Sequence, residues 1–337
     1  MQTTSLFPFR RLLLTLVAAL PLLFGTSCSD DDDTSPTPPA GPGNIVQVAS
    51  GNADFSILVA AVTKANLAAT LSGPGPFTVF APTNAAFAQL PAPFNSAASI
   101  TAITDATQLA TLTGILQYHV LSGTKKAADF ATGASTQATV RPATGGTTDN
   151  VLYLSKGAAG VFINGSTQVT TPDVPASNGV IHAINRVLMP PSGTVVAAAV
   201  ATPSLSVLVQ ALQRPAAAAL LAAANNPSAN LTVFAPSNTA FQALLTELNF
   251  TSLAQVSDAT LVSILQAHIV SGTRAFSTDL TNNQVVTTLN GPVTIGVSGT
   301  GVTVRAPGNG TNAANVTLAN VLTNNGVVHV IDRVLRP

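Results

Sequence analysis

The side chains able to do chemistry are few, and most come in matched pairs. The chain of 337 residues has four histidines and one cysteine, and 8% of its residues are charged. His119 recurs as His268 and His182 as His329, each inside a repeated block. A histidine works as a base only beside a nucleophile and an orienting acid, and as a metal ligand only beside further ligands. No G-x-S-x-G segment is present, and no Asp, Glu or Cys stands at a regular spacing beside the four. His182 alternates with Val180 and Ile184, and His329 with Val327 and Ile331, so both face a core or its margin. His119 and His268 close a helical stretch, where a donor can satisfy free carbonyls. His182, His268 and His329 therefore read as structural, and neither a catalytic residue, a metal site nor a cofactor is expected.

Cys28 has no partner for an internal disulfide, so its position must explain it. Arg10 and Arg11 precede an apolar run, Leu12–Phe24, too short to span a bilayer and suited to a secretory signal. Gly25, Thr26 and Ser27 then lead into Cys28. Small residues before a lone Cys resemble a bacterial lipobox, with Gly25 where a Leu is usual. The resemblance makes Cys28 the lipidation site and residues 1–28 a lipoprotein signal peptide. Ser29 and Asp30–Asp33 follow. An acidic run there resembles the surface-export signal of Bacteroidetes-like lipoproteins, which implies an outer-membrane, surface-exposed protein. Residues 29–43, acidic and then Pro-rich, cannot pack a core and read as a disordered tether.

Composition narrows the remaining classes. Formal net charge is zero and 46% of residues are hydrophobic, enough for two sizeable cores. Without Arg10, Arg11 and Asp30–Asp33 the body carries 11 basic against 9 acidic residues. A near-neutral body offers no basic stripe for nucleic acid.

The elements that position these residues are written twice. Phe77–Leu90 (FTVFAPTNAAFAQL) matches Leu231–Leu244 (LTVFAPSNTAFQAL) at nine of 14 positions. Leu112–Thr124 (LTGILQYHVLSGT) matches Leu261–Thr273 at eight of 13, and Asn178–Pro190 (NGVIHAINRVLMP) matches Asn325–Pro337 at nine of 13. The offsets of 154, 149 and 147 residues mark a duplicated domain. Thr78–Phe80 reads as a strand stopped at Ala81-Pro82, Thr83 as the N-cap of a helix over Ala85–Leu90, and Ser237 as its twin. Leu109, Leu112, Leu116 and Val120 share one helix face, stopped by Ser122-Gly123. Tyr153–Ile163 and Val293–Val304 read as hairpins, the second around Gly299-Thr300-Gly301. Asn178-Gly179 turns into a closing strand over Val180–Leu188.

Together these blocks resemble the fasciclin-like domain family. TVFAPTNAAF matches its first box, NGVIHAINRVLMP its second, and QYHVLSG the Tyr-His segment between. The resemblance implies an α+β fold of two tandem fasciclin-like domains, residues 44–191 and 194–337, each a β-sandwich or wedge with several flanking helices. It also implies an adhesion segment at Tyr118 and His119. The second copy departs from it with Ala267 in the place of Tyr118, and Asn84 and Asn238 stand where an acid is common. The expected function is a non-enzymatic adhesion or matrix-interaction module on a lipid anchor, with a surface protein or polysaccharide as partner. The alternative is a carrier of a small hydrophobic ligand such as a carotenoid.

Overall fold

The computed structural model describes residues 41–144, 147–299 and 301–337. Cys28, the signal peptide 1–28 and the tether as far as residue 40 lie outside the described residues. In the first copy, helices α1 (Ile45–Ser50), α2 (Ser56–Lys64) and α3 (Ala68–Ser72) lead into β1 (Phe77–Pro82). Helices α4 (Asn84–Phe87), α5 (Ala97–Thr101) and α6 (Ala106–Tyr118) follow. The rest is sheet: β2 (Val120–Ser122), β3 (Gly133–Ala138), β4 (Val151–Gly157), β5 (Gly160–Ile163), β6 (Thr167–Ala176) and β7 (Gly179–Ile184). The second copy repeats the plan with α7 (Val195–Val200), α8 (Ser206–Leu212), α9 (Ala218–Asn225), β8 (Leu231–Pro236), α10 (Asn238–Glu247) and α11 (Asp258–Gln266). Its remaining strands are β9 (Ile269–Ser271), β10 (Val285–Thr288), β11 (Gly291–Ser298), β12 (Gly301–Arg305), β13 (Ala314–Thr323) and β14 (Gly326–Ile331).

Each copy builds one seven-stranded sheet, ordered β2-β1-β7-β6-β5-β4-β3 and β9-β8-β14-β13-β12-β11-β10. All pairs are antiparallel except β1 with β7 and β8 with β14, which run parallel. Register shifts along β6 and β13 bend the sheet, as bulges do. The bend brings the far edge round to the first strand, and Val140 N–H donates to Val120 O at 2.9 Å. Leu289 N–H and Ile269 O close the second copy at 2.8 Å. The expected sandwich or wedge is thus a single sheet folded until it nearly closes.

The period of two along the strands divides the core. Val79, Ala81, Ile181 and Ala183 face the helices, in one apolar cluster with Leu58, Phe87 and Leu116. Phe80 and Ile184 face the inside of the folded sheet, against Leu152, Leu154 and Ile163. Phe80 is fully buried, a burial that contributes about 2–3 kcal/mol. The second copy has its own pair of clusters, and among the described residues no apolar cluster mixes the two copies.

Local expectations held at the caps and failed at some ends. Thr83 accepts from Ala86 N–H and Ser237 from Ala240 N–H, as N-caps do. The helix after Thr83 runs to Phe87, not Leu90, because Pro91 follows the next turn. The central helix ends at Tyr118, and Val120 is already strand, paired with Val79 at the sheet edge. Backbone pairing there outweighs helical periodicity. The supposed closing strand stops at Ile184 and lies inside the sheet, between β1 and β6. Both hairpins form, at β4–β5 and β11–β12, although Thr300 lies outside the described residues.

Candidate functional site at the junction of the two copies

The four histidines are buried, with at most 2% of each exposed. His119 is the C-cap of α6. Its Nδ1 lies 2.7 Å from Ile115 O, and its Nε2 accepts the Leu188 N–H at 2.9 Å. A carbonyl only accepts, so Nδ1 carries the proton; an N–H only donates, so Nε2 does not. The ring is neutral, and it ties the helix end to the segment after β7. His268 repeats this with Ile264 O at 2.7 Å and Leu335 N–H at 2.9 Å. Burial pushes both down to about 4, so neither serves as the capping cation.

His182 and His329 sit inside the folded sheets with the opposite tautomer. His182 Nε2 donates to Lys125 O at 2.8 Å, and Nδ1 accepts from Asp173 N–H at 3.2 Å. His329 Nε2 donates to Ala275 O at 2.9 Å, and Nδ1 accepts from Asn320 N–H at 3.4 Å. The His182 ring packs 5.5 Å from that of Phe80 and 5.8 Å from that of Phe130, centroid to centroid. Burial lowers both pKa values below the ordinary imidazole range. All eight ring nitrogens are spent on backbone groups. Among the described residues, no group of three or more His, Cys, Asp or Glu could hold a metal ion.

Tyr118 and His119, the expected adhesion segment, are interior. Tyr118 is fully buried; its hydroxyl donates to Val151 O at 2.8 Å and accepts from Asn164 Nδ2 at 3.2 Å. Burial raises its pKa and holds the hydroxyl protonated. Neither side chain is presented at the surface. Periodicity gave the helix face but could not say that both of its sides would be covered. Asn84 and Asn238 were noticed only as departures, and their geometry explains them. Asn84 Nδ2 donates to Ala53 O and Ser56 Oγ while Oδ1 accepts from Ile57 N–H. Asn238 does the same with Pro203, Ser206 and Val207. A carboxylate lacks the donor that this clasp requires.

The groups that sequence reasoning missed lie where the two copies meet. Arg274 reaches from the segment after β9 and donates to the Tyr153 hydroxyl, to Thr148 Oγ1 and to Asn324 O. Tyr153 also packs against Phe276, with ring centroids 5.5 Å apart. Ser155 hydroxyl donates to Asp279, and Asn320 Nδ2 donates to Gly165 O at 2.8 Å. Gly165 has φ +72°, and a Cβ there would come within 2.7 Å of Phe276 and Asn320. Both the backbone and the close approach therefore require glycine. The duplication hid this junction, because Phe276 and Asn320 stand where the first copy has Lys126 and Asp173. Those pairs follow from matching backbone bonds: Ala127 N–H donates to Asp173, and Ser277 N–H to Asn320.

Beside the junction a cleft of about 450 Å³ opens. Gln89, Ser166, Arg186, Met189 and Ser192 line it from the first copy and the join, and Leu322 from the second. The two apolar cavities under the helices are far smaller, about 30 Å³ each. They have room for no more than a water or two, whereas small-molecule sites run to roughly 300–1,000 Å³. A small hydrophobic ligand seated in either would require the helices to part.

A family model described as the fasciclin domain matches residues 53–190 and 203–337. The chain belongs to the fasciclin domain family. Protein sll1483 of Synechocystis sp. is 41% identical over 147 residues, 44% of this chain and 73% of that protein. The immunogenic protein MPB70 of Mycobacterium bovis is 34% identical over 180 residues, 50% of this chain and 83% of that one. A solved FAS1 domain pair from the insect cell adhesion molecule Fasciclin I aligns with 82% of this chain and 92% of its own, at 20% identity and TM-score 0.37. The two fasciclin domains here are thus joined by a junction of polar and aromatic contacts, with a cleft at its side.

Proposed function

We propose that this chain is a non-enzymatic adhesion or matrix-interaction module, exported and held at the outer membrane surface by lipid on Cys28. The observation that carries the reading is the use made of the histidines. The groups best suited to proton transfer spend every ring nitrogen on backbone bonds that hold the fasciclin fold. What remains for function is the surface of two joined domains, rich in hydroxyls and amides. Membership of the fasciclin family supports adhesion by analogy. The small residues before Cys28 and the acids after it support display on an anchor. The partner in this reading is a surface polysaccharide or protein.

The test is retention of the full chain, displayed on vesicles, by immobilised surface polysaccharide and surface protein. Retention above a blank support on either is expected. Equal retention on the blank, or hydrolytic turnover lost in His182→Gln, would overturn the proposal.

A further inference from the structure

The two fasciclin domains treat one arginine differently. Arg186 and Arg333 hold the same place in the repeated Asn178–Pro190 and Asn325–Pro337 blocks, as do Met189 and Arg336. In the second domain α10 runs ten residues and delivers Glu247 to this spot. Its carboxylate takes Arg333 Nη1 at 3.0 Å and Arg336 Nη1 at 3.4 Å. The groove there, lined by Ala240, Leu244 and Val334, is filled down to about 10 Å³.

In the first domain α4 has only four residues, and the chain turns away at Pro91. No acid lies between Phe87 and Phe94. The equivalent groove, lined by Ala86, Leu90 and Val187, is therefore open and forms part of the 450 Å³ cleft. Arg186 is exposed and makes no hydrogen bond or ion pair among the described residues. It is the one charged group lining the cleft among the described residues.

We propose that this cleft binds a carboxylate-bearing sugar of an acidic polysaccharide, with Arg186 taking the carboxylate as Arg333 takes Glu247. Guanidinium binds carboxylate through two parallel charge-assisted bonds. Ser166, Ser192 and Gln89 line the same cleft with groups that both donate and accept, as sugar hydroxyls do. Leu90, Leu322 and Met189, which is 46% exposed, offer apolar surface for a ring face. An acidic peptide would use the arginine and could pair its amides with the hydroxyls, but it has no ring face to lay on Leu90, Leu322 and Met189. The inference rests on the surface-module reading and names its ligand class.

Calorimetric titration of the full chain decides it, with trigalacturonate, its neutral methyl ester and a hexaglutamate peptide as probes. Trigalacturonate is expected to bind, and Arg186→Gln to weaken it roughly tenfold or more. The methyl ester should bind wild type as weakly as the acid binds the variant. Arg333→Gln should leave binding unchanged. The melting temperature of Arg186→Gln should match wild type, because the side chain is exposed and unpartnered. No trigalacturonate binding, equal affinity in Arg186→Gln, or tighter Arg186-dependent binding of hexaglutamate would each overturn the assignment. Wild type held by surface material yet indifferent to trigalacturonate sinks this inference alone. Wild type not held at all sinks the reading beneath it.

Discussion

The guanidinium carbon of Arg274 lies 5.0 Å from the centroid of the Tyr153 ring, and the same arginine donates to that ring's hydroxyl. One side chain of the second domain thus holds an aromatic of the first by its face and by its polar end. Stacking of this kind is worth about 0.5–2 kcal/mol, and the hydrogen bonds add to it.

Loss of this contact should loosen the pair without unfolding either partner. Each domain has its own apolar clusters, so the segments 44–191 and 194–337, expressed separately, should each unfold cooperatively. Arg274→Ala should broaden the distance distribution between spin labels placed on the two domains. Gly165→Val should do the same by forcing a side chain against Phe276. An unchanged distribution in both variants would show that the junction does not hold the pair.

Stability should fall on mild acidification. His119 and His268 stay neutral in the fold down to about pH 4, whereas an unfolded imidazole takes a proton near 6.5. Between those values the unfolded chain binds more protons than the native one, so stability is present above pH 6.5 and is lost towards pH 4. Each histidine contributes a slope of up to about 1.4 kcal/mol per pH unit in that window. Denaturant unfolding at pH 7, 6, 5 and 4 reads it directly. A flat profile would contradict the neutral tautomers assigned here.

His182→Ala and His329→Ala should each cost roughly 1–3 kcal/mol, since a buried ring is lost and a part-buried carbonyl and N–H lose their partner. Any loss of binding should track the loss of fold. Chelator should leave the thermal transition of wild type unmoved. A variant as stable as wild type, or a transition lowered by chelator, would assign these rings to chemistry instead.

Cys28→Ala should move the protein from the membrane fraction to the soluble one, and intact mass should show acyl chains on wild type only. Retention of the variant in the membrane, with no lipid on wild type, would remove the anchor.

Much of the fold was legible because it rests on local rules and was written twice. Strand alternation placed His182 and His329 in the interior, and Thr83 and Ser237 announced their helices by capping chemistry. Where a local rule met a long-range bond, the long-range bond won. Val120 fits the stripe of α6 but pairs with Val79 in the sheet. Pairing satisfies backbone groups that periodicity does not count.

The candidate site was far less legible. The family resemblance pointed to Tyr118 and His119 because they stand in one of its motifs, and the fold covers both. The junction and the cleft arise instead from differences between the copies: Phe276 against Lys126, Asn320 against Asp173, Glu247 with no counterpart. A comparison tuned to identity passes over such positions.

The sequence by itself determined that one domain is written twice, which faces of its strands are buried, and that the histidines are paired. Those properties follow from periodicity and repetition, which act over a few residues or over a whole domain. Only the tertiary structure decided which tautomer each histidine holds, that Tyr118 is enclosed, and that Arg186 lacks the carboxylate that Arg333 has. Each of those depends on a group that arrives from far along the chain, such as Val151 at Tyr118, Leu188 at His119 and Glu247 at Arg333, and a helix one or two turns longer is enough to fill a groove or leave it open.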